Sequence, residues 1–597
     1  MTVALWVLAL VLPLLTAAAI GLATMPPRPA VDTSVPAPDS PVQRLLLSIS
    51  PLTALPTLAL TAVPGATLEV PWLLVGTHLH VDGAARPLVL VSALLYAAAL
   101  AAVAWAGFRG GRGLVAFLLV CHVGTTVVFT AGDTATFYLG YALMSFAAYG
   151  LVVNSRTAEA LRAGRVYIAL TVISETAVLA ALILVTSAGG RLVQDAPRAV
   201  ADSDHTGLIV ALLLVGFGVK AGTLPLHVWL PLAHPAAPPA ASAVLSGAMV
   251  KAGLVGWLRF LPLGEAELPG WGLLLLILAL AGAFLAVPAG ELQNEPKVVL
   301  AYSTISQMGF LAALVGVALT SPELAPAVIP AAVAYAVHHA LAKGALFLGV
   351  PVWKHHAHGT RRWVVAIGLG GAALAVAGAP FSSGAVGKYA AKNAVGGAQL
   401  AGVDMVDLLP LVATGSTLLL LRAGWLLVRN ESDSRSRPDA ELGAWLLLVA
   451  AGIIVPWVVT DTWLPLTDVP GLDPVTLWDA SWPILLGLGI AALALVLKRL
   501  RLLPGWAARA DGRALPPGDI VGPEERLVRV AGSAVSASVG SARELRERGV
   551  DGVRRAVPTA GAGRSYDAVE AGLASRPGSG VVVVLFCLAL FAAGVLS

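Results

Sequence analysis

Apolar runs of about 20 residues recur along this chain, about sixteen of them, separated by short polar loops, and each is long enough to cross the hydrocarbon core of a bilayer as a helix. Backbone hydrogen bonds in lipid must be satisfied internally, so helices and closed barrels are the available spanning forms. Barrel strands alternate over roughly ten residues, and these runs do not alternate. Composition agrees, since 12% of the 597 residues are charged where a soluble domain carries about 25%. The expected fold is all-α, a polytopic membrane helix bundle. Expected spans lie at about 3–24, 43–63, 86–107, 113–131, 135–153, 165–187, 207–229, 239–262, 270–289, 298–319, 326–351, 364–394, 406–428, 442–460, 480–500 and 579–596. The second is interrupted by Arg44, Pro51 and Pro56. The first has no Lys or Arg ahead of it and reads as a span rather than a cleaved signal peptide.

Loop charge gives an orientation. Arg109 and Arg112, Arg156, Arg162 and Arg165, Lys354, Arg361 and Arg362, Arg429, Arg435 and Arg437, and Lys498, Arg499 and Arg501 all fall in odd-numbered loops. The even loops carry Glu265 and Glu267, then Asp461, Asp468, Asp473 and Asp479. Basic loops stay on the cytoplasmic side, so the N-terminus is expected outside, in a bacterial cell (inner) membrane. Residues 501–578 depart from the pattern. Their helix-compatible, Arg-rich stretch 523–557 is expected to lie along the cytoplasmic membrane surface, with Leu527, Val528, Val535 and Val539 facing hydrocarbon.

Several functions are disfavoured. Cys121 and Cys587 sit in apolar runs without CxxC or Cys/His neighbours, which gives no pattern for zinc, iron–sulfur or haem ligation, and no cofactor is expected. GLGGAA at 368–373 imitates a dinucleotide fingerprint, but it lies within a membrane run and reads as close helix packing. The net charge of +4 is spread over loops, with no basic aromatic face for nucleic acid.

The candidate site consists of polar residues deep in the spans. Lys220 interrupts GVKAGTLPLHVWLP, and a lysine at the centre of a membrane helix costs about 2.5–3.5 kcal/mol on insertion scales. His227 and His234 follow it. Glu175 and Lys251 are also midspan, and Lys388 follows APFSSG. On the eleventh run Tyr335, His339 and Lys343 recur every four residues and share a helical face, with His338 adjacent. The tenth opens with AYSTISQMGF, contributing Ser303, Thr304, Ser306 and Gln307. Midspan lysines outnumber midspan carboxylates, so ion pairing cannot account for all of them. A buried amine that gives up and regains its proton is a store for a proton path, and histidines and hydroxyls can link such stores. Pro225 and Pro231, and Pro380 with Gly384 and Gly387, break two helices at depth, which fits a repeated transporter architecture with its site at midplane.

GVKAGTLPLHVWLPLAHPAAPPAASAVLSGAMVKAGLVGWLRF, AYSTISQMGF, HHALAKGALFLGV and APFSSGAVGKY, in that order and spacing, resemble the antiporter-like proton-channel subunits shared by respiratory complex I, membrane-bound hydrogenase complexes and Mrp-type cation/proton antiporters; the likeness covers about residues 85–430. It implies a core of about 14 helices containing two inverted five-helix repeats, each with a broken helix. It further implies that Lys220 is a central proton carrier, that Lys251 is the connecting lysine, that His338, His339 and Lys343 form the polar axis of the second repeat, and that Lys388 is the terminal lysine or glutamate. The tail after residue 501 is similar in layout to the lateral helix and final anchor of the longest such subunits.

One position departs from that pattern. The family usually places a glutamate on the fifth span in an aromatic-Glu-Leu-Met context, whereas this chain reads Tyr141-Ala142-Leu143-Met144. Glu175 is the expected replacement as partner of Lys220, with Asp133 as the alternative acid and a purely structural, hydrogen-bonded and permanently neutral Glu175 as the other reading, and the departure favours a divergent, hydrogenase-type or stand-alone cation/proton branch. The expected organisation is N-terminal helices over 1–112, a first repeat over 113–262, a second over 270–428, further core helices over 429–500, a lateral segment over 501–578 and an anchor over 579–597. The resemblance implies a subunit that moves H+ or Na+ without redox chemistry of its own, beside other membrane subunits of a complex I-like, hydrogenase-like or Mrp-like assembly. A subunit that energises uptake of another substrate, such as inorganic carbon, and a structural scaffold are the other readings.

Overall fold

The computed structural model describes residues 2–23, 41–104, 111–429 and 439–522, apart from Val75, Pro465, Thr467 and Asp468. These divide into a main unit ending at Pro517 and a second unit beginning at Gly518. Of the second unit only the turn at 518–522 is described, so the surface helix and the last span expected beyond residue 522 lie outside the described residues.

The main unit is predominantly helical. It runs through α1 (Thr2–Ala23), α2 (Pro41–Ile49) and α3 (Leu55–Thr61), then α4 (Ala85–Ala104), α5 (Gly111–Thr130), α6 (Thr134–Val152), α7 (Ala158–Ser187) and the short α8 (Ala196–Ala201). It continues with α9 (Thr206–Ala221), α10 (Trp229–Ala236), α11 (Pro239–Val244), α12 (Val250–Phe260), α13 (Pro269–Glu291), α14 (Pro296–Thr320) and α15 (Ala325–His356). It ends with α16 (Arg361–Ala377), α17 (Ser383–Ala394), α18 (Met405–Leu408), α19 (Leu411–Arg429), α20 (Ala440–Thr462), α21 (Pro474–Arg499) and α22 (Gly505–Arg509). Thirteen continuous helical stretches among the described residues are long and apolar enough to cross a membrane, and α9 is a shorter apolar helix. The strands are two small antiparallel hairpins, β1 (Thr67–Val70) with β2 (Thr77–His80) and β3 (Gln399–Leu400) with β4 (Val403–Asp404). The chain is therefore a polytopic all-α membrane bundle.

The interior is arranged around α14, in which every residue from Pro296 to Leu319 is buried. A helix apolar or small on all sides belongs inside a bundle, so its few polar residues have only protein to face. Large apolar side chains elsewhere point outward, among them Ile367, Leu447 and Leu495, as they must where the surrounding solvent is lipid. Small residues let helices approach closely. A Cβ on Gly253 of α12 would lie 2.5 Å from the Phe217 carbonyl oxygen of α9. Gly368 of the GLGGAA stretch packs under the Trp445 ring, while Gly370 and Gly371 face open space, so one glycine of that motif makes the expected close contact.

The expected spans differ in detail from those observed. Pro51 and Pro56 do not end the second span, because a 3-10 turn at Ser50–Ala54 carries the chain from α2 into α3. The long α7 begins at Ala158, which puts Arg162 and Arg165 on the helix rather than in a loop. Likewise α21 begins at Pro474 and includes Asp479. The seventh and twelfth spans are interrupted, as α9–α10 and α16–α17, but the seventh breaks at Gly222 rather than at its prolines. Lys220 thus sits in the last turn of a half-helix, not at the centre of a continuous span.

Candidate ion-translocation site

Both interrupted helices end in the same way. At the end of α9, Gly222 adopts φ +72° and its N–H bonds to the Gly218 carbonyl at 2.9 Å, followed by the Thr223 N–H to the same oxygen at 3.0 Å. At the end of α16, Gly378 adopts φ +85°, and both its N–H and that of Ala379 reach the Leu374 carbonyl at 2.9 Å. This left-handed glycine cap stops a helix and leaves its final carbonyls available to other donors. Side chains take them up. The Trp229 indole N–H donates to the Val219 carbonyl at 2.7 Å, and Lys388 Nζ donates to the Ala377 carbonyl at 2.8 Å. An ammonium group at a helix C-terminus also meets the negative end of the helix dipole, which offsets part of the cost of burying Lys220 and Lys388.

Around Lys220 the first cluster is aromatic and hydroxylic. Lys220 Nζ donates to Tyr167 Oη at 3.3 Å, and the Tyr167 hydroxyl donates to the Ser145 carbonyl at 2.9 Å. The ammonium lies 5.5 Å and 5.4 Å from the ring centroids of Tyr141 and Tyr167, within the range where cation–π attraction is worth about 0.5–2 kcal/mol. Glu175 is buried nearby and interacts electrostatically with Lys220, although no direct hydrogen bond joins them. The Ser145 hydroxyl stands against the carboxylate without closing a bond of ordinary geometry. Tyr167 thus links the amine to the Ser145 backbone, and the Ser145 side chain stands near the acid without a closed bond. Asp133, the alternative acid, is committed elsewhere: it caps α6 by accepting the Thr136 N–H at 2.8 Å and also accepts the His78 N–H at 2.7 Å.

Lys251 belongs to a second cluster. A π-helical turn at Leu245–Met249 joins α11 to α12, and π turns loosen the regular backbone ladder. The Ser246 carbonyl accepts from Lys251 Nζ at 2.7 Å, and His339 Nδ1 lies 2.7 Å from the same amine. An amine and an imidazole this close carry at most one positive charge between them, because two adjacent cations would repel by about 4 kcal/mol at 4 Å with an effective dielectric of 20. The Ser246 hydroxyl bonds to Thr304 Oγ1 at 2.8 Å, Thr304 donates to the Leu300 carbonyl at 3.0 Å, and Lys343 Nζ donates to that same carbonyl at 3.1 Å.

From here the polar file reaches the second break. His338, beside His339 on α15, places Nδ1 3.1 Å from Ser383 Oγ at the start of α17, the helix that carries Lys388. Beyond Lys388 a cavity of about 60 Å³ is lined by Lys388, Tyr389, Lys392 and Asp479, and Lys392 pairs with Asp479 at 2.5 Å.

Other expected residues are differently placed. Tyr335 donates to Gln307 Oε1 and Gln307 Nε2 donates to Ser416 at 2.6 Å, a branch toward α19. Ser306 holds α13 through the Ala283 carbonyl at 2.7 Å. The Ser303 hydroxyl makes no hydrogen bond among the described residues. His227 Nδ1 lies 3.3 Å from the Pro225 carbonyl in the unwound stretch. His234 stacks on Phe347 with centroids 4.4 Å apart, and neither ring nitrogen has a hydrogen-bond partner among the described residues. Among the described residues no direct hydrogen bond joins Lys220 to Lys251. Sequence reasoning missed Tyr141, Ser145, Tyr167 and the π turn. One tyrosine was detectable: Tyr167, Thr171, Ser174 and Glu175 recur at helical spacing, and all are buried.

Comparison with known proteins agrees with this architecture. The chain resembles hydrogenase-4 component B of Escherichia coli (strain K12), 32% identical over 284 residues, 45% of this chain and 42% of that one. It also resembles a Na(+)/H(+) antiporter subunit of Alkalihalophilus pseudofirmus, 30% identical over 237 residues, 39% of this chain and 47% of the other. The matches thus span less than half the length of these curated relatives. In fold it is similar to a chain of the Mrp complex from Dietzia sp. DQ12-45-1b, with a TM-score of 0.68 at 22% identity over 98% of this chain and 69% of that one. Residues 131–384, which hold both helix breaks and the lysines between them, match the model of the NADH:quinone oxidoreductase/Mrp antiporter transmembrane family.

Proposed function

We propose that the chain is an ion-translocating membrane subunit of a multisubunit complex of the complex I, hydrogenase or Mrp kind, and that it carries H+ along a midplane file. Lys220 and Glu175 form the first station, Lys251 with His339 and Lys343 the second, and His338 with Ser383 and Lys388 the third. The observation that carries this reading is the Lys251–His339 contact of 2.7 Å. It places an amine and a fully buried imidazole so that a proton can pass directly between them and only one can be charged. Occupation of one station then changes the cost of occupying the next, which moves charge without moving backbone.

In this reading 113–262 and 270–428 are the two repeats, the basic loops and residues 501–578 are cytoplasmic, and the N-terminus is outside. The Lys392–Asp479 pair then gates the outer side of Lys388. His227, His234, Tyr335, Ser303, Ser306 and Gln307 serve as polar lining of the file. The partners are the other membrane subunits of the complex. The test is ΔpH and Na+ flux in vesicles holding the chain with its native partners. Proton flux that vanishes in Lys251→Ala, with assembly retained, supports the reading. Unchanged flux in that variant removes it.

A further inference from the structure

At the loop ends of α15 and α20, away from the polar file, the chain gathers a histidine and two carboxylates. His356 is the last residue of α15 and its side chain is fully buried, Asp439 caps α20, and Glu441 lies in the first turn of α20 at 15% exposure. One candidate ligand atom from each lies within 4.8 Å of the others. His356 Nε2 is 3.2 Å from Asp439 Oδ1 and 3.7 Å from Glu441 Oε2. Ligands bound at about 2.0–2.2 Å around a tetrahedral zinc ion stand roughly 3.3–3.5 Å apart, so both separations fall near the edge of such a tetrahedron.

The carboxylates are also held in place. His355 Nδ1 lies 2.8 Å from Glu441 Oε2, and Asp439 Oδ1 accepts the N–H groups of Glu441 and Leu442 at 3.0 Å and 3.2 Å. Supporting hydrogen bonds of this kind orient metal ligands. A neutral imidazole with two carboxylates carries two negative charges, which a divalent cation cancels. Arg361, the nearby cation on the next helix, places Nη2 2.9 Å from His358 Nε2. A cavity of about 600 Å³ adjoins the cluster, lined by Pro238, Pro296, Trp353, Lys354, His355 and Glu441, and it gives an ion a way in.

We propose that His356, Asp439 and Glu441 form a binding site for a divalent transition metal of the zinc class, one that clamps the end of α15 to the start of α20. The same atoms without a metal would make an ordinary hydrogen-bonded helix clamp, and binding separates the two. Full-length protein stripped with EDTA is titrated with Zn2+ alone, with metal counted after dialysis and thermal unfolding followed with and without Zn2+. The wild type should retain one more zinc equivalent than His356→Ala or Glu441→Gln and should gain a Zn2+-dependent rise in Tm that both variants lose. His355→Ala should weaken the site about 10–100-fold while leaving its stoichiometry intact. Helical circular dichroism confirms folding, and Glu441→Gln, which changes a partly exposed group, serves if His356→Ala fails to fold. Equal zinc stoichiometry and affinity in wild type and Glu441→Gln overturns the proposal. The readout needs no transport, so it stands or falls separately from the ion-translocating role.

Discussion

Lys220 has a nearby acid and an aromatic cradle, but its only hydrogen bond among the described residues is to Tyr167. Lys220→Ala should therefore abolish transport while the complex still assembles, because no direct bond pairs the amine with Glu175 and so the large cost of orphaning one member of a buried ion pair does not arise. Flux in vesicles and recovery of the assembled complex measure the two separately, and loss of assembly would make the residue structural. Glu175→Gln should reduce flux by at least tenfold. Ala142 lies one turn before Ser145, which stands against Glu175, so adding Ala142→Glu to Glu175→Gln should restore part of the flux. At the other end, Lys388 donates to the Ala377 carbonyl. An ionised glutamate cannot donate there and meets the negative end of the α16 dipole, so Lys388→Glu should reduce flux at least as much as Lys388→Ala. The charged residues of the file were legible in the sequence because a charge within an apolar run is conspicuous. Tyr141, Ser145 and Tyr167 were not, because hydroxyl-bearing residues are common on membrane helices and only the fold turns them toward one amine.

At the scale of elements, proline and glycine announced two broken helices, but not where they break. The break forms where a left-handed glycine cap can form, at Gly222 and Gly378, with the prolines lying in or just after the unwound stretch. The π turn before Lys251 left no comparable mark, since it is a hydrogen-bonding choice available to many apolar sequences. The Gly378 cap is open to a direct test. Alanine there would hold φ +85° at a cost of about 1–2 kcal/mol, and its Cβ would come within 2.6 Å of Lys388 Cδ. Gly378→Ala should thus displace Lys388 from the Ala377 carbonyl and lower flux out of proportion to the modest fall in thermal stability. Gly371→Ala, which meets nothing within 4 Å, is the control and should change neither. If Gly378→Ala lowers flux no more than the control, the cap does not position the lysine.

Across the whole molecule, length and hydropathy made the membrane bundle readable, whereas the long-range closures between distant segments left no local signature. One of them returns the chain after α21 to the α13–α14 loop. Arg422 donates to the Gln293 carbonyl through Nε at 3.1 Å and Nη2 at 2.5 Å, and to the Ala510 carbonyl at 2.7 Å. Gln293 Nε2 donates to the Leu515 carbonyl at 3.0 Å, and the Gly512 N–H donates to the Leu292 carbonyl at 2.9 Å. Residues 505–515 thus cover the loop that leads into the buried α14, and with it the start of the helix that carries Thr304 and Gln307. Two truncations separate this brace from whatever lies beyond it. Ending the chain after Pro517 keeps every one of these bonds, so the core should retain its thermal midpoint and its flux, and any loss should fall on association with partner subunits. Ending it after Leu500 removes the acceptors at Ala510 and Leu515 and leaves Arg422 with one partner fewer. Hydrogen bonds to a charged group contribute about 1.5–3 kcal/mol each, so this second truncation should lower the thermal midpoint clearly, and Arg422→Ala in the full-length chain should reproduce much of the fall. Equal thermal midpoints for the two truncations would show that the returning segment does not brace the core.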